Sequence, residues 1–392
     1  MRDIILYIGS IFLPDKSAGA QRALSLSKSF RDLGYKTVIV GMSSEQDRNI
    51  PVLKTKAFCK GFETFSVPQP KSIPQWFHHT VSVKEFKEVV DYYGYERIYA
   101  IVAMEYEAIP LWRLSGYCKK RGIHLIADAE EWYEKSNLRF PMNIAKDFDT
   151  GLRMKYIYPK KIDCMICISR FFENYYKGIV KNTVYVPGTI DKDEEKWQKV
   201  SKYKPNDVFT IGYAGHPGLK FEKERLDLLI RAVLELNSEG KKCRLKIAGL
   251  DREFLENHLP NININESVEC LGKIPHADCL NMIAESDFSA IIREDKRVTK
   301  AGFPTKFSES FGCGTPVIAT KSSNIFEYIK DGETGICCDG YSKAAIKQGI
   351  LKAMSFSPDE LAVIHQKMRD DNPLEYRRFT SDIKSFFETI NI

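Results

Sequence analysis

The chain reads PTKFSESFGCGTPVIA over residues 304–319, which places two charged side chains just before a short apolar run. Pro304 suits the first position of a helix, the glycines of GCG suit its end, and TPVIA predicts a buried strand. Lys306 and Glu309 are three residues apart, so both would lie on one face of that helix. An ammonium near a helix N-terminus favours a diphosphate, and a carboxylate accepts hydrogen bonds from two ribose hydroxyls. The stretch therefore predicts a nucleotide site, with a surface ion pair on a capped helix as the alternative.

Short apolar runs recur along the rest of the chain at intervals that leave room for a helix between them. The first series covers residues 4–8, 37–40, 98–102, 125–127, 164–168 and 184–186, and the second covers 208–213, 245–248, 268–271, 288–292, 316–319 and 334–338. This alternation predicts an α/β fold with two Rossmann-like domains built on parallel sheets. A ligand is then expected beyond the carboxyl ends of the strands, in a cleft between the domains.

The predicted domain boundaries follow from length and composition. With 392 residues, the chain exceeds what one hydrophobic core usually supports. Residues 1–190 form the first predicted domain, the charged segment 191–206 is the predicted linker, and residues 207–372 form the second domain. Residues 373–392 carry apolar side chains at helical spacing and predict a C-terminal helix. A helix lying on a membrane surface is the alternative for this last segment.

Pro304-Thr305-Lys306 followed by Glu309 and by the sequence GTPVI resembles the donor-site signature of the retaining glycosyltransferases of family four. In that family a carboxylate at the position of Glu309 binds the ribose of a nucleotide sugar, and a second glutamate precedes it. The earlier position is Ala301 here. One branch of the family has the proline-lysine form without the first glutamate, and this chain is similar to that branch. The resemblance implies that Thr305, Lys306 and Glu309 contact the donor.

The same resemblance implies a fold and an activity. The fold would be α/β of the GT-B type, with two Rossmann-like domains whose parallel sheets face a central cleft and a C-terminal helix that crosses back to the first domain. The activity would be that of a hexosyltransferase that moves a sugar from a UDP-sugar or GDP-sugar to a glycan or lipid-linked acceptor, with retention of configuration, in bacterial surface polysaccharide or glycoconjugate synthesis. The donor is a substrate, and no separate cofactor is expected. No DxD-type motif stands at a strand end, so no metal site is predicted.

The loop after the first strand contains Gly19 and Arg22. Glycine permits close approach of a ligand, and an arginine in the first turn of a helix opposes the helix dipole, which indicates an anionic partner. Relatives have a glycine loop followed by arginine at this place, so both residues are predicted to bind the donor. A plain joint between a strand and a helix is the alternative.

Residues 128–134 end another buried strand and carry four carboxylates. Like charges this close raise one another's pKa unless a cation or a polyol ligand is nearby. Many relatives have a histidine or aspartate beside the transferred sugar in this loop, and the matching residues here are Glu130 and Glu131. Glu131 is the slightly preferred candidate for orienting hydroxyl groups, and a solvated acidic loop is the alternative.

The second domain supplies the remaining candidates. Relatives hold the donor diphosphate with a glycine-arginine turn and a lysine, and the corresponding residues here are His216 and Lys223. Arg293, at the end of a predicted strand, can replace the missing guanidinium, because its planar fork matches a phosphate. Lys273 and Ile274 lie in a segment that resembles the loop whose backbone contacts the base.

Charge and composition restrict the partners and the location. The chain carries 58 Lys and Arg against 52 Asp and Glu, and the excess lies in its first half. This half could contact an anionic membrane through residues 119–121 and 160–161, although a solvated basic surface explains the same count. No nucleic-acid partner is indicated. The first strand does not read as a signal peptide, and cysteines in apolar surroundings suit a reducing compartment, so a cytoplasmic location is expected, with the inner membrane face as a peripheral contact.

Two other classes of function compete with the transferase. Ala301 and the absent histidine would also suit a non-catalytic glycosyltransferase-like subunit that binds nucleotide or glycan. A nicotinamide-dependent oxidoreductase is disfavoured, because no complete Gly-x-Gly-x-x-Gly motif follows a predicted strand.

Overall fold

The structure is a computed structural model that describes residues 2–14, 17–134 and 140–390. The chain divides into two compact units, one formed by Met1–Thr189 with Tyr376–Ile392 and the other by Ile190–Glu375. Each unit packs helices on a mainly parallel sheet, which confirms the predicted α/β class with two Rossmann-like domains. Every predicted apolar run overlaps a strand of one of the two sheets.

The first unit is built on a parallel sheet with one antiparallel edge. Its strands are β1 (Ile4–Gly9), β2 (Lys36–Ser43), β3 (Ala57–Cys59), β4 (Phe62–Pro68), β5 (Ile98–Met104), β6 (His124–Ala129), β7 (Cys164–Cys167) and β8 (Asn182–Tyr185). Within the described residues their order is β3-β4-β2-β1-β5-β6-β7-β8, and only β3 runs antiparallel to its neighbour. The helices are α1 (Ala18–Asp32), α2 (Ile73–His79), α3 (Lys84–Tyr93), α4 (Ala108–Arg121), α5 (Met142–Leu152), α6 (Tyr158–Lys161) and α7 (Arg170–Tyr176). A π-helical segment, Arg153–Ile157, joins α5 to α6.

The second unit has an all-parallel sheet. Its strands are β9 (Phe209–Ala214), β10 (Cys243–Ala248), β11 (Val268–Gly272), β12 (Phe288–Ile291), β13 (Val317–Thr320) and β14 (Gly335–Cys338). In the described part of this unit their order is β11-β10-β9-β12-β13-β14. The helices are α8 (Glu195–Lys199), α9 (Leu226–Ser238), α10 (Arg252–His258), α11 (His276–Glu285), α12 (Arg297–Ala301), α13 (Thr305–Cys313), α14 (Lys343–Ala353) and α15 (Pro358–Asp370).

Helix α13 begins one residue later than the sequence suggested. Pro304 has φ −72° and ψ 119°, so it is extended and precedes the helix instead of forming its first residue. Gly314 ends the helix with φ 73°, a left-handed conformation that glycine adopts without steric cost. The N-terminus of α13 therefore lies at Thr305, next to Lys306.

The segment expected to be a linker packs on the second unit. It contains α8, and Trp197 on that helix is only 5% exposed. Gly312 lies inside α13 against this ring, where an added Cβ would come within 2.7 Å of the indole. The side chain of Trp197 thus requires glycine at 312, which the sequence suggested for a different reason, the end of the helix.

The C-terminal helix α16 (Arg377–Ile390) belongs to the first unit. Its buried side chains Ile383, Phe386, Phe387 and Ile390 join the core cluster beneath β1 and α1. The ring centroids of Phe387 and Phe30 are 5.5 Å apart, and the Phe387 carbonyl accepts a hydrogen bond of 3.2 Å from the Tyr99 hydroxyl. Across the described residues, no helix combines the length and the apolar character needed to cross a membrane.

Replacing Phe387 by alanine should destabilise the first unit. A buried phenylalanine reduced to alanine costs about 3–5 kcal/mol, because apolar burial is lost and a cavity remains. Urea unfolding of the whole chain would measure the change. The matched control is Glu388→Ala, because Glu388 is exposed on the same helix and should change the free energy of unfolding by less than about 0.5 kcal/mol. Equal effects of the two substitutions would contradict the packing described for α16.

Candidate functional site

A buried carboxylate joins two of the predicted phosphate-binding cations in the second unit. Arg293 follows β12, Lys306 lies in the first turn of α13, and Glu224 precedes α9. The Oε1 atom of Glu224 lies 3.0 Å from Nε of Arg293, and its Oε2 atom accepts a hydrogen bond from Nζ of Lys306. The side chain of Glu224 is only 2% exposed. The structure therefore brings Arg293 and Lys306 together, and it does so through a residue that the sequence did not single out.

The charges of this cluster depend on one another. Burial lowers the pKa of Lys306 and Arg293 lowers it further, whereas Glu224 opposes both effects. Burial on its own raises the pKa of Glu224, but Lys306 and Arg293 outweigh it and the pKa lies below its usual value. The Lys306 ammonium also lies 4.0 Å from the ring centroid of Tyr213, which adds a cation–π attraction. With Lys306 and Arg293 counted as cations and Glu224 as an anion, the formal charge of the cluster is positive.

Glu309 lies one turn further along α13 and contacts a histidine. Its Oε1 atom is 3.0 Å from Nε2 of His276, the first residue of α11. The side chain of Glu309 is 18% exposed and that of His276 is 45% exposed, so both can be reached by a ligand. His276 ends the segment that contains Lys273, which is exposed, and Ile274, which is partly buried. The residues predicted for ribose and base thus lie close together.

The other predicted donor residues of the second unit lie on the loop before Glu224 and at the start of α13. His216 is exposed, and its Nδ1 atom accepts a hydrogen bond of 3.0 Å from the Gly218 amide. Lys223 is exposed, and its backbone amide donates to the Pro217 carbonyl at 2.9 Å. Thr305 is partly buried as the first residue of α13. His216 and Lys223 therefore stand on the loop that leads to Glu224, and neither forms an ion pair with a described residue.

In the first unit, Arg22 is bound by protein groups on every side of its guanidinium. Its Nη2 atom lies 2.6 Å from Oδ1 of Asp128, and Nη1 donates to the carbonyls of Val186 and Pro187 at 2.9 and 3.0 Å. Tyr7 donates a hydrogen bond to the same aspartate. Asp128 is fully buried, and its charge holds the pKa of Arg22 above the usual value in spite of burial. The sequence suggested an anionic partner for Arg22, and Asp128 is one such partner, while contact with the donor stays a prediction.

Glu130 is the carboxyl group most strongly perturbed by its surroundings at this edge of the sheet. Burial, and after it the charge of Asp128, raises its pKa well above the usual value. Its Oε1 atom lies 3.2 Å from Nε of Arg22, and the side chain is 13% exposed. A Cβ atom added at Gly19 would lie 4.0 Å from Glu130 Oε2 and 2.8 Å from the Met104 methyl group. Gly19 is therefore required by the Met104 side chain, and its contact with a donor stays a prediction.

A second buried ion pair, absent from the sequence predictions, supports the loop that carries Glu130 and Glu131. Oε1 of Glu105 accepts hydrogen bonds from both backbone amides, at 3.1 and 2.8 Å. Its Oε2 atom lies 3.3 Å from Nη2 of Arg153, which is fully buried. Glu105 itself has φ +49°, an uncommon conformation for a residue with a side chain and one that often marks functional sites. The Glu131 side chain is exposed, so Glu130 is the better-enclosed carboxyl of the predicted pair.

The part of the chain that the structure describes contains no evident metal site. Among its residues, no group of three or more His, Cys, Asp or Glu side chains is arranged so that it could hold a metal ion. Asp287, the acidic residue next to β12, accepts hydrogen bonds from the Tyr203 hydroxyl at 2.5 Å and from the Thr210 amide at 2.6 Å. Its carboxylate connects the start of the second unit to its sheet.

Glu130→Gln should change how thermal stability depends on pH. A carboxyl whose pKa is raised on folding binds its proton more tightly in the folded chain, so wild-type stability falls as the pH rises above the unfolded value of about 4.5. The glutamine variant lacks this titration, so its melting temperature relative to wild type should rise between about pH 4.5 and pH 8. Glu131→Gln makes the same substitution at the neighbouring exposed position and is the matched control. A melting-temperature difference between Glu130→Gln and wild type that stays constant over this pH range would refute the raised pKa.

Comparison with known proteins gives a family match for part of the chain and a similar fold for all of it. Residues 191–369 match the family described as Glycosyl transferases group 1. No curated protein matches the sequence.

Similar solved structures include sucrose-phosphate synthase (tll1590) from Thermosynechococcus elongatus, with 14% identity, 99% of both chains covered and a TM-score of 0.67. The catalytic domain of starch synthase IV from Arabidopsis thaliana, bound to ADP and acarbose, has 10% identity, 100% coverage of both chains and a TM-score of 0.72. Anabaena Alr3699/HepE in complex with UDP-glucose has 13% identity, covers 98% of this chain and 99% of its own, and has a TM-score of 0.62.

At these identities the structural similarities show the fold, while the family match covers most of the second unit. Together they confirm the resemblance that the PTK segment and Glu309 suggested. Residues 191–369 thus match the group 1 glycosyl transferases, and the chain as a whole has the GT-B fold of the solved structures to which it is similar.

Proposed function

We propose that the chain moves a hexose-type sugar from a nucleoside diphosphate sugar to a glycan or lipid-linked acceptor, with retention of anomeric configuration. The observation that carries this proposal is the convergence of Arg293 and Lys306 beside the N-terminus of α13, with Glu309 on the same helix. Two cations and a helix N-terminus suit a diphosphate, and a partly exposed carboxylate suits a ribose. Synthesis of bacterial surface polysaccharide or glycoconjugate is the setting that we propose.

Each part of the donor has a proposed set of contacts in the second unit. The diphosphate contacts Arg293, Lys306 and the first backbone amides of α13 at Thr305. The ribose hydroxyls donate to Glu309, and they compete there with His276, which lies 3.0 Å away in the structure. The base lies against the backbone of Lys273 and Ile274.

The reaction follows from these contacts. The bond between the anomeric carbon and the diphosphate oxygen breaks, and negative charge builds on the leaving oxygen. Arg293 and Lys306 stabilise this charge electrostatically, because they are fixed in place before the reaction starts. The acceptor hydroxyl attacks the same face, its oxygen bonds to the anomeric carbon, and its proton passes to the diphosphate. The products are a nucleoside diphosphate and the glycosylated acceptor, and the proposal invokes no metal.

Glu130 and Glu131 are proposed to orient sugar hydroxyls in the first unit. Burial and the charge of Asp128 raise the pKa of Glu130, and its side chain remains 13% exposed, so a sugar hydroxyl can reach its carboxyl group. Glu131 is exposed beside it and accepts hydrogen bonds.

A non-catalytic subunit is the second candidate, and the position of Ala301 favours it. Ala301 is fully buried at the end of α12, so this position provides no carboxylate. Such a protein would bind the nucleotide without releasing the sugar in the presence of any acceptor.

Nucleotide binding and turnover test the proposal. UDP and GDP should be compared with uridine and guanosine by thermal shift, and UDP-glucose is the first donor to assay, because the Anabaena protein was solved with it. Glu309→Ala should weaken binding of the stabilising nucleotide about 10- to 100-fold, since a hydrogen bond to a charged group contributes about 1.5–3 kcal/mol. Lys306→Ala should lower kcat on the order of 10²-fold. Unchanged binding and turnover in both variants would remove the site, and binding without turnover would favour the non-catalytic subunit.

Peripheral membrane contact is a separate part of the proposal, and a basic groove in the first unit supports it. The groove has a volume of about 1400 Å³ and lies at the amino end of β6, around His124 and Leu125. It includes residues 119–121 and 160–161, and its lining carries eight Lys or Arg side chains against three Asp or Glu. Trp112, which is 54% exposed, also lines it. A tryptophan among basic side chains is typical of a membrane interface.

Charge reversal in this groove should abolish vesicle binding. Each basic group near an anionic surface contributes about 1 kcal/mol, so Lys119→Glu with Lys120→Glu should release the protein from phosphatidylglycerol vesicles in a sedimentation assay. Phosphatidylcholine vesicles should not bind either protein. Lys241→Glu with Lys242→Glu makes the same charge change at exposed positions of the second unit and should leave binding intact. Equal loss in both double variants would mean that net charge, and not the groove, controls binding.

A further inference from the structure

Glu224 stands out because its burial and its contacts differ from those of both neighbours in sequence. Residues 223–225 read Lys-Glu-Arg, three charged side chains in a row. Lys223 is exposed, and Arg225 turns to Asp227 and Glu294, with hydrogen bonds of 2.8 and 2.6 Å. Only Glu224 points inward, where it is 2% exposed. Burying a carboxylate is expensive unless its charge is compensated, so this orientation requires the two cations that Glu224 meets.

The contacts of Glu224 use only some of the N–H donors of each cation. Its Oε1 atom accepts a hydrogen bond of 3.0 Å from the Nε–H group of Arg293, and its Oε2 atom accepts one from an N–H group of Lys306. A guanidinium has five donors and an ammonium has three. The terminal nitrogens of Arg293 and two N–H groups of Lys306 therefore remain for other acceptors, and among the described residues neither side chain forms a second ion pair. The side chains of Arg293 and Lys306 are 19% and 16% exposed, so these donors can be reached from solvent.

We infer that Glu224 is the positioning residue of the diphosphate site, holding Arg293 and Lys306 side by side so that their remaining donors point at phosphate oxygens. This inference rests on the proposed function and names the group that orders its cations. Glu224 does not contact the donor, and it remains bound to both cations when the diphosphate arrives.

A carboxylate between Arg293 and Lys306 counteracts two unfavourable effects of placing these cations together. Two buried cations repel each other, and a buried lysine tends to lose its proton. The charged groups that face Lys306 are Glu224, Arg293 and Glu309, and Tyr213 contributes its ring. Of these, Glu224 makes the direct ion pair that keeps the ammonium charged. Its removal should leave Lys306 charged over a narrower pH range and free to change its rotamer.

The test compares Glu224→Gln and Glu224→Asp with wild type. Affinity for UDP, or for GDP if GDP is the nucleotide that binds, would be measured by calorimetry beside the corresponding nucleoside, and turnover would be followed from pH 6 to pH 10. We expect Glu224→Gln to weaken nucleoside diphosphate binding about 10-fold or more, to leave nucleoside binding unchanged, and to lower kcat. We also expect the alkaline fall of kcat/KM to move to lower pH, because Lys306 would lose its proton earlier. Glu224→Asp keeps the charge and should restore part of each loss.

The matched control is Glu235→Gln. Glu235 also bridges two cations, with distances of 2.5 Å to Lys343 and 2.7 Å to Lys347, but it lies on the surface between α9 and α14. Its substitution makes the same chemical change and should leave binding, kcat and the pH profile unaltered. A change as large as that of Glu224→Gln would show that loss of a carboxylate anywhere in the unit is sufficient, and it would overturn the inference.

The outcomes separate this inference from the proposed function. If wild type binds neither UDP nor GDP, the proposed function fails. If wild type binds and Glu224→Gln has the same affinity, kcat and pH profile, only the role of Glu224 fails. Tighter binding by the variant would also overturn it, because Glu224 would then act as an anion competing with the diphosphate. If the variants do not fold, a crystal structure of wild type with UDP or GDP decides: phosphate oxygens on Arg293 and Lys306, with both Glu224 contacts kept, support the inference, and a displaced Glu224 refutes it.

Discussion

The compensation of buried charge at the carboxyl ends of the strands is the constraint on which the candidate sites depend. Both units place a carboxylate of very low exposure near these strand ends, Asp128 within β6 in the first unit and Glu224 before α9 in the second. A carboxylate removed from water is tolerated only when cations or hydrogen-bond donors replace its hydration. Arg22 with Tyr7, and Arg293 with Lys306, supply this replacement. The positions of these side chains follow from this requirement as much as from any ligand.

The two clusters nevertheless leave different chemistry available. In the first unit Asp128 and two backbone carbonyls occupy the guanidinium of Arg22, so its charge is satisfied within the protein. In the second unit one carboxylate faces two cations, and the surplus positive charge and several donors remain. An excess of fixed positive charge beside a helix N-terminus is suited to a diphosphate. The clusters therefore differ in stoichiometry: in the first unit one cation faces Asp128 and Glu130, whereas in the second unit two cations face Glu224.

Much of the fold could be predicted because its signals are local. The apolar runs that form β1, β2, β5 and β9 are mostly buried on both faces and stand out in the sequence. Strand β4, FETFSVP, mixes buried and partly exposed positions, and the edge strand β3 is mostly exposed, so neither formed a continuous apolar run. The segment 191–206 looked like a linker because it is charged, but its Trp197 and Val200 are buried in a core cluster of the second unit.

By itself, the sequence determined the α/β class and most of the strands, and it predicted a nucleotide site at residues 304–309 with the candidate residues Lys306, Glu309 and Arg293. These depend on periodicity, helix geometry and side-chain type, which are properties of neighbouring residues. Only the tertiary structure decided that Glu224, and not Lys223 or Arg225, turns inward, that Glu105 and Arg153 support the loop of Glu130, and that Arg22 is satisfied by Asp128. The partners in these contacts are separated by 48 to 106 residues, and burial and pairing at such separations arise only when parallel strands bring their carboxyl ends to one edge of a sheet.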